Sequence, residues 1–199
     1  MRPLFLDQLW ADRNLARKQR PRLEALLERI SRLRLIDPAC GCGNFLIVAY
    51  RELRLLELDI LKELYPPNDR ELLDIDSILH VNVDQFYGIK YDGFPAEIAR
   101  VAMWLIDHQM NALVSQVFGR YYVRLPLTKA ATIVHGNALR KNWFDELRIA
   151  SDGAGFSGLL ILGNPPFRGK TFQTTEQRED LRAAFQNAPS VGDLDFVTA

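Results

Sequence analysis

Cysteine is almost missing from this chain: among 199 residues only Cys40 and Cys42 carry a thiol. Two thiols one residue apart cannot staple a fold, so a disulfide scaffold is excluded and a reducing cytoplasm is the expected compartment. They also lack two further ligands at suitable spacing, which argues against a zinc site. His80, His108 and His135 fall in different elements with no Ser or Cys pattern around them, and no acidic pair with a following Lys marks a nuclease centre. No apolar run approaches the roughly 18 residues a membrane span needs, and the basic N-terminus is not followed by the apolar segment of a secretory signal. Nothing repeats and no segment is of low complexity. Net charge is absent as well, since 25 Lys and Arg balance 25 Asp and Glu, whereas a stand-alone nucleic-acid binder is usually basic. At 48% hydrophobic and 25% charged, the composition is that expected of an ordinary soluble globular domain with a sizeable core.

The charge that is present is unevenly spread. Residues 1–34 hold nine Arg or Lys against four Asp or Glu, while residues 52–92 hold ten acids against four bases. Two solvated helix faces would give this pattern, and so would a basic flank beside a nucleic-acid groove.

Residues 4–10 and 21–30 carry helical spacing, with Pro21 suited to a first turn. Leu33, Leu35 and Ile36 read as a short strand stopped by Asp37-Pro38. An apolar-periodic run from Phe45 to Leu64 reads as a helix, ended by "YPPND". Residues 71–84 read as a helical turn and loop. "QFYGIK", 85–90, is a second strand leading into a helix over 96–117, with Ile98, Val101, Ala102, Leu105 and Ile106 on its inner face. "TIVHG", 132–136, and residues 159–162 give the third and fourth strands, and 176–187 a last helix. This alternation predicts an α/β fold, a Rossmann-like doubly wound, mostly parallel sheet with strand ends along one edge.

Two stretches carry chemistry. "LIDPACGCGNF", 35–45, is a strand, a Gly-rich turn and a helix start, whose exposed N–H groups attract an anion. Gly41 and Gly43 give G-x-G, but Leu46 stands where the full dinucleotide fingerprint has its third glycine, so a tight βα turn explains the pattern equally well. "LILGNPPFRGK", 160–170, runs a short buried strand into two prolines, which remove two backbone donors and stiffen the chain. The result is either a simple corner or a fixed frame for one amide, one carbonyl and one aromatic face, at the strand end where ligands sit in open α/β sheets.

"DPACGCGNF" followed by "GNPPF" resembles the two signature motifs of class I, S-adenosylmethionine-dependent DNA methyltransferases that act on exocyclic amino groups, with Cys42 in place of the usual Ser. With "IVHGNAL" and the "AEIARVAMWL" helix, nearly the whole chain resembles the methyltransferase module of MmeI-like single-chain restriction–modification enzymes. The resemblance implies that the turn through Asp37, Pro38, Ala39, Cys40, Gly41, Gly43, Asn44 and Phe45 cradles the methionine end of the cofactor, with the backbone donors of Cys40 to Asn44 near its carboxylate. It implies an acidic residue after Gly88-Ile89 to accept the ribose hydroxyls. Lys90 stands there instead and has no acceptor, so Asp92, two residues on and on the same face of an extended chain, is the expected substitute. Asn137, followed by Ala138, holds the place of an Asp that accepts from the cofactor's adenine; it is also a natural turn residue after Gly136. Asn164 and the Pro165 carbonyl would accept the two N–H groups of the target amine, Pro166 would help hold them still, and Phe167 would stack on the base, flipped out of the duplex.

Taken together, the resemblance implies transfer of a methyl group to the N6 amino group of adenine in double-stranded DNA, with sequence reading by a domain not in these residues and no metal or membrane partner. The N-P-P-[YF] motif also serves enzymes that methylate RNA bases or a glutamine side chain, although the DPAC form favours DNA adenine. A non-catalytic truncated fragment is the reading from a different class. Residues 1–31 are expected to form a helical flank and 32–199 a methyltransferase domain incomplete at its C-terminal side, because "VGDLDFVTA" resembles the approach to a later motif and "MRPLFLDQLW" the middle of a helix.

Overall fold

The structure, a computed structural model, describes residues 4–69, 74–119, 130–146, 158–166 and 170–185. Among the described residues four short strands rich in Leu, Ile and Val set the frame: β1 (Leu33–Asp37), β2 (Phe86–Lys90), β3 (Thr132–His135) and β4 (Gly158–Ile161). Every pairing is parallel and the spatial order is β3-β2-β1-β4. Alternate residues face opposite sides of a strand, so Leu35 and Phe86 join the large core on one face while Ile36, Tyr87 and Ile89 form a smaller one on the other. The chain steps outward through β2 and β3, then returns to lay β4 on the far side of β1. That reversal makes a switch point between β1 and β4, and ligands of such sheets bind outside the strand ends there. The expected α/β, parallel, Rossmann-like architecture is the one that forms. Residues 186–199, with the end of the last predicted helix and the "VGDLDFVTA" segment, lie outside the described residues.

Helices α1 (Leu4–Leu15) and α2 (Arg20–Ser31) precede β1. Helix α3 (Asn44–Leu64) and the single turn α4 (Ile75–Ile78) connect β1 to β2, and α5 (Gly93–Phe118) connects β2 to β3. Helices α6 (Trp143–Glu146) and α7 (Thr175–Ala184) lie on either side of β4 in sequence. Helices α3 and α5 cover the large core and are tied by buried polar bonds. Tyr50 donates to Asp107 Oδ1 at 2.5 Å, and Arg54 donates to Glu57 at 2.7 Å and to Asn111 Oδ1 at 2.9 Å. A guanidinium this deep is tolerated only with such partners, because an unpaired buried charge costs several kcal/mol.

Helix α5 keeps only part of the predicted inner face: Ile106 lies inside as expected and Ala102 is half-buried, but the other three residues do not. Ala96, Ala99, Met103, Ile106 and Met110 are buried, whereas Ile98, Val101 and Leu105 are exposed. Clearance is the reason. Gly43 sits against α5 so closely that a Cβ built on it would lie 3.2 Å from Ala99 Cβ, and only small side chains fit between.

Helices α1 and α2 share the large core with α3 through Leu6, Leu9, Leu23 and Ile30. Arg13 reaches Asp59 at 2.5 Å and Glu63 at 2.7 Å on α3, Arg29 reaches Asp12 at 2.6 Å, and Arg20 and Arg32 pair with Glu24 and Glu28. The basic N-terminal stretch thus meets carboxylates of its own helices and of the acid-rich stretch, which favours packed and solvated helix faces over an open basic groove. No described helix is long and apolar enough to cross a membrane.

Candidate active site

Asp37 ends β1 with a fully buried carboxylate. Its Oδ1 accepts from the Ala39 N–H at 3.0 Å, which bends the chain into the turn, while Oδ2 is buried without a hydrogen-bond partner. Burial pushes its pKa from 3.8 up to about 6, against the lowering effect of the Ala39 bond. Cys40 lies beneath the turn, its N–H donating to the Ile89 carbonyl at 3.1 Å. Burial and then the Asp37 charge push its thiol up to about 12, so it is a packing group rather than a nucleophile. The Gly43 N–H donates to the Cys40 carbonyl at 2.7 Å. Two of the backbone donors expected to face a ligand, those of Cys40 and Gly43, are therefore consumed in closing the turn.

What stays open is the start of α3. Gly43, at φ 86°, precedes the helix and supplies no side-chain cap, and the first helical bond runs from Ile47 N–H to the Gly43 carbonyl at 2.8 Å. The N–H groups of Asn44, Phe45 and Leu46 thus have no carbonyl one turn back. Unclaimed donors at a helix N-terminus, aided by the helix dipole, are suited to an anion.

At the end of β2, Lys90 accepts through its carbonyl from Gly136 N–H at 2.8 Å, and its Nζ stands 3.8 Å from Asp92 Oδ2. Asp92 itself is exposed at the start of α5. The Ile89 side chain points into the smaller core, so only its carbonyl serves the turn. After β3, Asn137 Oδ1 accepts from Leu139 N–H at 3.0 Å and opens a tight turn over Ala138–Arg140. Trp143 on α6 donates its indole N–H to the Ala138 carbonyl at 2.8 Å and holds that turn in place.

β4 brings the proline corner to the same edge. Leu162 N–H donates to the Ile36 carbonyl at 2.9 Å, which extends the β1–β4 pairing past the strand itself. Gly163 then passes so near Asp37 that a Cβ on it would lie 2.5 Å from Oδ1. The turn after β1 and the corner after β4 are neighbours for that reason. Pro38, Ala39, Lys90, Asn137, Ala138, Pro165 and Pro166 line one cleft of about 590 Å³, within the usual size range of small-molecule sites. Asn164 is exposed between two lining residues without lining the cleft itself, and Phe167 lies outside the described residues.

The far wall comes from α7, which the sequence reading did not connect with the site. Thr174, Glu176, Gln177 and Asp180 all line the cleft. Asp180 Oδ2 accepts from Asn137 Nδ2 at 2.7 Å and Oδ1 from Arg140 Nε at 2.6 Å, and Arg140 also reaches Glu176 at 2.9 Å. The available signal was the T-x-x-Q pattern at 174–177, a capping box that fixes a helix start soon after the proline corner. Among the described residues no cluster of His, Cys, Asp and Glu could hold a metal ion.

Residues 13–199 match the sequence family described as MmeI, DNA-methyltransferase domain. The chain is 35% identical over 201 residues to DNA methyltransferase A of Bacillus subtilis (strain 168), covering all of this chain and 22% of that protein. It superposes with a TM-score of 0.85 and 45% identity on the solved structure of the Type IIL restriction–modification enzyme MmeI in complex with DNA, over 98% of this chain and 25% of that one. It spans about a quarter of the length of these relatives. With a match across nearly its whole length and the expected switch-point cleft in place, the chain belongs to the MmeI DNA-methyltransferase domain family.

Proposed function

We propose that this chain transfers a methyl group from S-adenosylmethionine to the N6 amino group of adenine in double-stranded DNA, as the catalytic module of a cytoplasmic restriction–modification or related defence enzyme. The observation that carries the reading is the contact of the two signature segments. The turn Asp37–Gly43 and the corner at Asn164 lie side by side across the β1–β4 pair, with Gly163 packed on Asp37. In support, the relative solved with DNA shares 45% of its residues with this chain over the matched region.

The cofactor supplies an electrophilic methyl group carried on a positively charged sulfur. The chain's part is to bind and to orient. The open N–H groups of Asn44, Phe45 and Leu46 suit a carboxylate, and Asn137 offers an amide to a purine. The cleft lacks an acid at the end of β2, where Lys90 stands, but Glu176, Gln177 and Asp180 bring acceptors into it from the opposite wall. The residues present thus fit S-adenosylmethionine with a rearranged acceptor set.

At the corner, the amine of adenine is planar and poorly nucleophilic because its lone pair is delocalised into the ring. The Asn164 side-chain oxygen and the Pro165 carbonyl accept its two N–H groups, which draws the nitrogen toward a tetrahedral shape and aims the lone pair at the methyl group. The consecutive prolines keep these acceptors from moving, so the gain is preorganisation rather than acid–base work. Phe167 stacks on the flipped base. We assign sequence recognition to a domain outside these 199 residues, with residues 1–31 as a helical flank of the methyltransferase domain.

Asn164→Ala in the full-length polypeptide tests this. Methyl transfer to duplex DNA should fall by roughly a hundredfold or more, while the Kd for S-adenosylmethionine stays the same. Undiminished transfer would remove the role given to Asn164, and transfer to RNA or a glutamine peptide in place of DNA would reassign the acceptor.

A further inference from the structure

We propose that Asp180 on α7 is a positioning residue that fixes which way round the Asn137 amide faces, and through it sets the preference of the cleft for an adenine ring over a 6-oxopurine. The inference rests on the function proposed above and extends it to a residue outside both signature motifs.

An Asn side chain ends in an acceptor oxygen and a donor NH₂ of nearly equal size, so a half-turn about its last bond inverts what it offers. Two partners decide the matter here. Leu139 N–H can only donate, and Asn137 Oδ1 faces it at 3.0 Å. A carboxylate can only accept, and Asn137 Nδ2 faces Asp180 Oδ2 at 2.7 Å. Both ask for the same orientation. An amide oxygen has two lone pairs; Leu139 uses one, and the other is left for a ligand that brings an N–H, as the 6-amino group of adenine does and a 6-oxo group does not.

Asp180 is itself tied on both oxygens. It is 7% exposed in the wall of the cleft, and its second oxygen accepts from Arg140 Nε at 2.6 Å. Arg140 is braced in turn by Glu176 at 2.9 Å, one helical turn before Asp180. The capping box at Thr174 and Gln177 sets where this helix begins. Hydrogen bonds to an ionised partner are roughly twice as strong as neutral ones, so the Asp180–Asn137 bond dominates the choice of orientation. Without it, Leu139 alone would have to hold the amide.

The experiment compares S-adenosylhomocysteine with its inosine counterpart, which differs at the 6-position, by calorimetric titration of the full-length polypeptide. The wild type should prefer the adenosyl form by about tenfold, the value of one net hydrogen bond. Asp180→Ala should cut that preference to less than about threefold. Asp180→Asn fills the same space but offers one oxygen to two donors, Asn137 Nδ2 and Arg140 Nε, so it should lose much of the preference as well, which a loss of bulk packing alone would not predict. Arg140→Ala, at an exposed side chain, serves if Asp180→Ala does not fold, and should lower the preference part of the way. If Asp180→Ala weakens both ligands equally and leaves the ratio intact, Asp180 is a packing residue and the proposal is wrong. A wild type that binds both ligands equally also overturns it, while a wild type that binds neither overturns the proposed function together with it.

Discussion

Asp37 is buried whole, with Ala39 N–H on one oxygen and nothing on the other. Keeping a charge there is costly, which is why its pKa rises from 3.8 to about 6. The sign of the linkage follows. The folded chain holds this proton more tightly than the unfolded one, so the stabilising term is fully present below about pH 4 and is lost as pH rises through about 6. The shift of roughly two units corresponds to about 3 kcal/mol. Asp37→Asn removes the charge with little change of shape, so the stability difference between variant and wild type should grow in favour of the variant from pH 4 to pH 7. Denaturant melts of both proteins across that range give the difference directly; parallel curves would mean that Asp37 keeps an ordinary pKa. Beside it, Gly163→Ala would force a Cβ to within 2.5 Å of the carboxylate. Because the obstacle is a buried group and not a mobile side-chain tip, the corner must shift. A loss of about 1–3 kcal/mol and a drop in methyl transfer are expected, read from a melt and a transfer assay on the same protein.

Among the elements, α7 is the one whose place matters most and whose stability is easiest to alter. Thr174 Oγ1 accepts from Gln177 N–H at 3.2 Å and Gln177 Oε1 accepts from Thr174 N–H at 3.0 Å. Thr174→Ala should cost about 1 kcal/mol of helix stability. It should speed amide hydrogen exchange in residues 175–184 while β1 and α3 exchange as before; uniform exchange across the chain would show that α7 opens only with the whole fold. The elements themselves were legible wherever local chemistry punctuates them. Asp37-Pro38 stops β1, Pro66-Pro67 follows α3, and the turn and the corner are both short runs of Gly and Pro. The inward face of α5 was legible only in part, because the helix is apolar on two sides and the choice between them depends on clearance against Gly43, a property of the packed molecule. Nor were Glu176 and Asp180 legible as part of the site. Their partners, Asn137 and Arg140, lie about forty residues upstream, and a contact of that separation leaves no periodicity behind. The Ile89 side chain is the contrary case, since strand alternation already places it on the face opposite Phe86 and Gly88.

On the scale of the whole molecule, one surface is out of keeping with a finished globule. Phe94, Ile98, Val101 and Leu105 follow one another at helical spacing along the outer side of α5, with exposures of 79%, 39%, 55% and 46%. Phe45 and Val48, on the neighbouring helix α3, are exposed too. A helix apolar on both sides ordinarily lies buried between layers, and an exposed apolar stripe of this length is an adhesive surface. Attraction between such surfaces is non-directional and grows with the apolar area removed from water. The 199-residue chain by itself should therefore self-associate as its concentration rises, which sedimentation velocity over a dilution series would show as a shift toward larger species. Val101→Lys with Leu105→Glu should return it to a monomer and leave the melting transition nearly unchanged, because exposed substitutions away from the core alter stability by no more than about 0.5 kcal/mol. The double substitution separates two causes of association. If the variant stays associated, the contact lies elsewhere on the molecule; if it becomes monomeric but melts much lower, these side chains belong to the core and the outer face of α5 is not a free surface.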